Sequence, residues 1–206
     1  LACKADSSLW KDVDHEKARP VGNAEVLVGY DPRGGDGESS DDAGFSGGVE
    51  AKAQGGIFRF IERVRLKGSS YEQQADTIRG ITEKYNVVYM AMDTSGVGSA
   101  TAELVRKFYP ALVELDYSPE VKRLMAYKSR EIINSGRLQF EAEWDDLVHS
   151  FLMIRQQTTK VSNQITFVSN RSKIGSHADL AWASMHVMRW EPIDINNDTN
   201  TSVEFF

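Results

Sequence analysis

The run VVYMAMD, residues 87–93, is unbroken apolar sequence closed by a single carboxylate. Such a run reads as a strand at the centre of a sheet, covered on both faces. A second run, VLVGYD at residues 26–31, has the same form and is stopped by Pro32. It reads as another core strand ended by a turn. Two core strands that each end in an aspartate, Asp31 and Asp93, set the frame for the rest of the chain.

Outward from these two strands the pattern divides. Between them, residues 43–51 and 57–66 read as two further strands, and short connections favour an antiparallel meander. Residues 33–42 are a Gly- and Asp-rich loop. Ser70 with Gln73 three residues on is a capping-box signal. Tyr71, Ala75, Ile78, Ile81 and Tyr85 then follow at helical spacing. After the 87–93 strand come a helix over 99–108 and a short strand over 112–115. Ser118 and Pro119 open another helix, with proline at its favoured first position, and Gly136 ends it. Residues 138–140 and 164–168 are strand-like. Leu147, Val148, Phe151 and Leu152 mark a further helix, and the last helix is predicted over 176–190. The predicted fold class is α/β. A mixed sheet, an antiparallel meander followed by parallel strands, carries helices on both faces.

Composition narrows the function. A chain of 206 residues holds one domain with a real core. A single cysteine, Cys3, excludes an internal disulfide and points to a reducing compartment. No run of 18 apolar residues occurs, so a soluble, cytoplasmic protein is expected. A net charge of −6 argues against a dedicated nucleic-acid binder, but not against an enzyme that gathers carboxylates around metal ions. Residues 1–23 are polar and aperiodic, with Pro20 and Gly22 closing them, and read as a linker. Residues 24–191 read as the folded domain, and 192–206 as an acidic tail. A start at Leu1 rather than Met suggests a piece of a longer chain.

Asp31, Asp93 and Asp179 are the candidate metal ligands. Asp31 and Asp93 stand at strand ends, where functional side chains emerge from an open sheet. Asp179 stands in the first turn of the last helix. Each also has a plainer reading. Asp31 before Pro32 suits a turn, and Asp93 suits an Asx-turn or a helix cap. Asp179 lies three residues after Ser176, at capping-box spacing, where an acid suits the helix dipole. The same residue type in three such places favours a site for hard divalent cations, which prefer oxygen ligands.

The strings VGYDPRGGD (28–36), YMAMDTSGVGSA (89–100) and SHADLAWASMHV (176–187), in this order and separation, resemble the nuclease domain of the large terminase subunit of tailed bacteriophages. The resemblance runs from about Glu25 to Trp190. It implies an RNase H-like fold and an endonuclease that cuts double-stranded DNA during genome packaging in the cytoplasm of an infected bacterial host. It also implies that Asp31, Asp93 and Asp179 hold Mg²⁺ or Mn²⁺, with two ions about 4 Å apart clamping the scissile phosphate. The implied partners are the portal protein, the small terminase subunit and an ATPase domain of the same chain. The GxxxxGKS/T loop of such a motor is absent here, which places the motor before Leu1. Asp36, Asp41, Asp42 and His177 are possible additions to the site.

Of the basic residues, Lys128, Arg171 and Lys173 are the preferred DNA contacts. Lys122, Arg123, Arg130 and Arg137 read by default as a solvated helix face. His15, His149 and His186 show no metal-ligand spacing. Gly96 and Gly98 read as a tight connection into a helix or, alternatively, a backbone phosphate contact. Two other functions stay open. One is a junction resolvase or RNase H-type nuclease on the same fold, separated by substrate preference. The other is a non-catalytic module that docks on a portal.

Overall fold

The computed structural model describes residues 4–5, 13–14, 17–32, 43–50, 55–66, 68–96, 98–160, 163–169 and 178–192, with backbone alone for 4–5 and 43–50. In chain order the elements are β1 (Lys4–Ala5), β2 (Glu25–Asp31), β3 (Ala43–Glu50), β4 (Phe58–Arg59), β5 (Glu62–Leu66), α1 (Tyr71–Lys84), β6 (Asn86–Asp93), α2 (Gly98–Arg106), β7 (Val113–Leu115), α3 (Pro119–Asn134), β8 (Leu138–Glu141), α4 (Asp145–Leu152), β9 (Ile154–Thr158), β10 (Ile165–Ser169) and α5 (Asp179–Met188).

The main sheet has the order β5-β3-β2-β6-β7. β5, β3 and β2 pair antiparallel, and β2, β6 and β7 pair parallel. The expected meander followed by parallel strands is what forms. Strand alternation then sorts the side chains between two cores. Val26, Val28, Tyr30, Met90 and Met92 face α1 and α2 with Ile78, Ile81, Ala102 and Val105. Leu27, Tyr89, Ala91 and Leu115 face the opposite way, toward Met125, Phe151, Trp182 and Met185 of α3, α4 and α5. Helices therefore cover both faces.

Local sequence sets the helix ends. Ser70 accepts from the Gln73 amide, and the Gln73 side chain accepts from the Ser70 amide. Ser118 accepts from the Val121 amide at the start of α3. Gly136 takes φ +69° just beyond α3, a left-handed conformation open to glycine without steric cost.

Three elements differ from expectation. The strand expected over 57–66 is two strands. Phe58 and Phe60 enter the α5-side core, whereas Ile61 enters the α1-side core. Adjacent apolar residues on opposite faces break the alternation, and β4 pairs with β8 while β5 pairs with β3. β9 was not expected at all, because only Ile154 of its five residues is buried; pairing with β10 makes it a strand. The segment read as a linker also joins the domain in part. β1 pairs with β8, and Val13 and Val21 pack on the α1-side core. Among the described residues no helix is long and apolar enough to cross a membrane.

The domain closes on Glu191. Its carboxylate accepts from Arg137 at 2.6 and 3.1 Å and from the Gly55 amide at 3.0 Å, and pairs with Lys128 at 3.2 Å. Burial pushes this carboxyl up, and the bonds from Arg137, Gly55 and Lys128 outweigh it, holding it below the ordinary glutamate range. A depressed folded pKa stabilises above the unfolded value, about 4.3 for glutamate, and the contribution is lost as pH falls below it. Glu191→Gln should cost about 2 kcal/mol at pH 7, since it leaves two half-buried cations with only the exposed Glu131 as counter-charge. Thermal melts at pH 7 and pH 3 check this: the gap between variant and parent should narrow in acid.

Candidate metal centre

The carboxyl ends of the three parallel strands lie at one edge of the sheet, the usual place for a site in such folds. From Leu27 onward β2 and β6 run in step, Gly29 beside Ala91 and Tyr30 beside Met92. One residue further, Asp31 and Asp93 come side by side on strands about 4.8 Å apart. Both have the parity of Leu27 and Ala91, so both face α5 rather than α1 and α2. β7 pairs Leu115 with Asp93, which brings Asp116 and Tyr117 to the same edge.

α5 brings the third carboxylate. Its N-cap is Ala178, which makes Asp179 the first helical residue. A capping box with Ser176 would need Asp179 two positions later in the helix. Asp179 is 3% exposed and lies against the cleft that Asp31 also lines. α5 reaches the sheet through Gly29, where a Cβ would stand 2.0 Å from the Ala183 carbonyl oxygen. A similar contact fixes the turn after β6, since a Cβ on Gly98 would stand 2.2 Å from the Asp93 carbonyl oxygen. The tight-connection reading of this turn therefore has a physical cause.

Tyr117 sits among the carboxylates. Burial raises its phenol well above the ordinary range, and Asp31, Asp93 and Asp179 each push it further. Its amide donates to Ser95 Oγ at 2.8 Å, and Ser95 in turn donates to Asp93 Oδ1 from both its hydroxyl, at 2.6 Å, and its amide, at 2.9 Å. Asp93 thus makes the Asx-turn while standing beside Asp31 at the carboxyl edge of the sheet. Burial raises its pKa, the Ser95 bonds and the Lys122 charge lower it, and Asp116 adds to the rise.

A cleft of about 320 Å³ is lined by Asp31, Tyr117, Lys122, Val168, Ser169, Asp179 and Trp182. The Lys122 ammonium lies 4.9 Å from the Tyr117 ring centre and 5.9 Å from that of Trp182. Aromatic faces attract the cation without occupying its hydrogen-bond donors. Among the described residues no three His, Cys, Asp or Glu side chains close around one point as a finished ligand cage. Asp31 and Asp179 share a cleft wall, with Asp93 alongside. Mg²⁺ commonly takes only one or two carboxylates and fills its shell with water and phosphate oxygens, so this donor set fits a hard cation.

The structure places Lys128 elsewhere. Its ammonium is bound to Glu191 and Glu131, both at 3.2 Å, and its side chain is 10% exposed. The expected DNA contact is a member of the Glu191 network, and among the described residues the cation on the cleft is Lys122. About one and two-thirds helix turns separate the two, and sequence periodicity assigned Lys122 to the solvated face. Arg171, Lys173, His177, Asp36, Asp41 and Asp42 lie outside the described residues. Sequence reasoning also passed over Tyr117, and it placed Ser95 in the turn with Gly96 and Gly98 without a role toward Asp93. Ser95 had a signal, two residues after Asp93 in a turn; Tyr117 had none beyond following a short strand.

The family model of the Terminase RNaseH-like domain matches residues 28–189. The protein named "Terminase, ATPase subunit" of Escherichia phage P2 is 38% identical over 208 residues, covering 99% of this chain and 35% of that protein. The "Probable terminase, ATPase subunit" of Haemophilus phage HP1 is 36% identical over 184 residues, 89% of this chain and 30% of that protein. The chain spans about a third of the length of these relatives. Among solved structures, the large terminase nuclease of thermophilic phage G20c with bound magnesium has a TM-score of 0.64 at 17% identity, covering 82% of each chain. The nuclease domain of the large terminase of bacteriophage SPP1 with bound Mn has a TM-score of 0.54 at 14% identity, covering 87% of this chain and 93% of the other. These likenesses share the architecture described above, and with the family match they show that the chain belongs to the Terminase RNaseH-like domain family.

Proposed function

We propose that this domain is a metal-dependent endonuclease that cuts double-stranded DNA during phage genome packaging in the host cytoplasm. The observation that carries the reading is that Asp31 and Asp179 line one cleft with Tyr117 and Lys122, with Asp93 on the strand beside Asp31 at the carboxyl edge of the sheet. Nuclease domains of the same fold hold magnesium in phage G20c and Mn in phage SPP1. Here Asp31, Asp93 and Asp179 would hold Mg²⁺ or Mn²⁺. When bound, such ions supply Lewis-acid charge for the attacking water and the departing 3′ oxygen, in the two-ion scheme.

The chain's own residues do the rest. Ser95 fixes the Asp93 carboxylate through two hydrogen bonds. Lys122 offers a positive charge to a DNA phosphate entering the cleft. Arg171 and Lys173, on the segment before Asp179, are the other proposed DNA contacts. The relatives' name, ATPase subunit, and their greater length support a motor elsewhere in the same protein; the portal protein and the small terminase subunit are its proposed partners.

Incubating the purified chain with Mn²⁺ and supercoiled plasmid tests the activity. Cleavage of duplex plasmid in preference to a branched junction or an RNA–DNA hybrid is expected. Cutting of the junction or hybrid alone would transfer the reading to a resolvase or RNase H-type enzyme. Lys122→Gln should weaken duplex binding and lower the log–log salt slope by about one, as loss of one phosphate contact does. Lys128→Gln should leave that slope unchanged. Fluorescence anisotropy across a salt series measures both.

A further inference from the structure

His186 is fully buried in α5 and is not used by the proposed site. Its Nδ1 lies 2.9 Å from the Tyr30 carbonyl oxygen, and its Nε2 lies 2.6 Å from the Tyr117 hydroxyl. A carbonyl only accepts, so Nδ1 carries the hydrogen. Burial holds the ring down to about 3, so it is neutral and has no second hydrogen. Nε2 is therefore an acceptor and takes the hydrogen of Tyr117. The same phenol lies against the Asp31 carboxylate, which also only accepts. One hydroxyl hydrogen faces two acceptors.

We propose that His186 is a positioning residue for the metal site and acts through Tyr117. With a divalent cation at Asp31, the hydroxyl turns its hydrogen to His186 Nε2 and presents an oxygen lone pair to the cation's hydration shell. Without the cation, the Asp31 carboxylate competes with His186 Nε2 for that hydrogen. No group changes its charge; the hydroxyl rotates about its Cζ–Oη bond. His186 thus keeps the Tyr117 hydrogen from competing with the cation for Asp31. The inference rests on reading Asp31 as a metal ligand.

The test is Mn²⁺ binding by titration calorimetry on the full 206-residue chain. His186→Asn retains a donor for Tyr30 and removes the acceptor for Tyr117. It should weaken Mn²⁺ binding about tenfold, the worth of one hydrogen bond. The same change in a Tyr117→Phe background should have no effect. His186→Gln, whose amide oxygen replaces Nε2, should restore binding. Equal losses in both backgrounds would show a packing role and overturn the proposal, as would no loss from His186→Asn in the parent. Asp31→Asn binding Mn²⁺ at parental affinity would overturn the metal-site reading and this inference with it. Loss with Asp31→Asn beside unchanged binding with His186→Asn overturns the inference alone. If His186→Asn fails to fold, the ¹⁵N resonance of His186 Nε2 in the unmutated chain decides. It should move toward the hydrogen-bonded position on saturation with Mg²⁺, and a fixed resonance overturns the proposal.

Discussion

Asp93→Asn should abolish plasmid cleavage while leaving the fold intact. The asparagine keeps an oxygen at Oδ1, so the two bonds from Ser95 can persist. What it loses is the negative charge proposed to hold a cation. A metal ion contributes several kcal/mol to such a transition state. At 1.36 kcal/mol per tenfold, that is a rate loss of about 10³-fold or more. Stability should move the other way. Burial raises the Asp93 pKa, with Asp116 opposing its ionisation further and Ser95 and Lys122 relieving part of the cost. A group whose folded pKa is raised destabilises the fold as pH rises through that value. The metal-free variant should therefore melt at or above the parental temperature at pH 7, and Mn²⁺ should raise it less. Cleavage at near-parental rate with Mn²⁺ present would remove Asp93 from the site.

Gly29→Ala should be among the most damaging single-methyl changes in the domain. The new Cβ would stand 2.0 Å from the Ala183 carbonyl oxygen and 3.0 Å from the His186 Cβ. The obstacle is helix backbone, which cannot rotate away, so α5 must lift from β2. Overpacking of this kind costs about 3 kcal/mol. In a domain of this size that is a fall of about 10 °C in the melting temperature. Lifting α5 also carries Asp179 away from Asp31. Cleavage should fall at temperatures where the variant is still folded, which calorimetry and plasmid assays on one preparation can separate. An unchanged melting temperature would mean that α5 does not pack on Gly29 as closely as described.

Much of the architecture was legible in the chain. The apolar runs ending at Asp31 and Asp93 are strands because their period and length match buried strands, and the sheet places them as neighbours. Ser70, Ser118 and Gly136 act within three or four residues of themselves, so their caps could be read locally. The split of 57–66 at Phe60 and Ile61 was harder to see. Its cause is which core each ring enters, and that depends on β8.

What the sequence determined by itself was most of the elements and three acids at their ends. What tertiary structure decided was the company those acids keep. Tyr117 and His186 are 69 residues apart, and His186 and Tyr30 are 156 apart, yet each pair shares a hydrogen bond. The choice between Lys122 and Lys128 turned on a carboxylate at Glu191 that is remote from both in sequence. Hydrogen bonds and ion pairs act over a few ångströms in space and carry no periodic trace along the chain. Secondary structure leaves such a trace, and that is why the strands and caps could be read while the partners of the carboxylates could not.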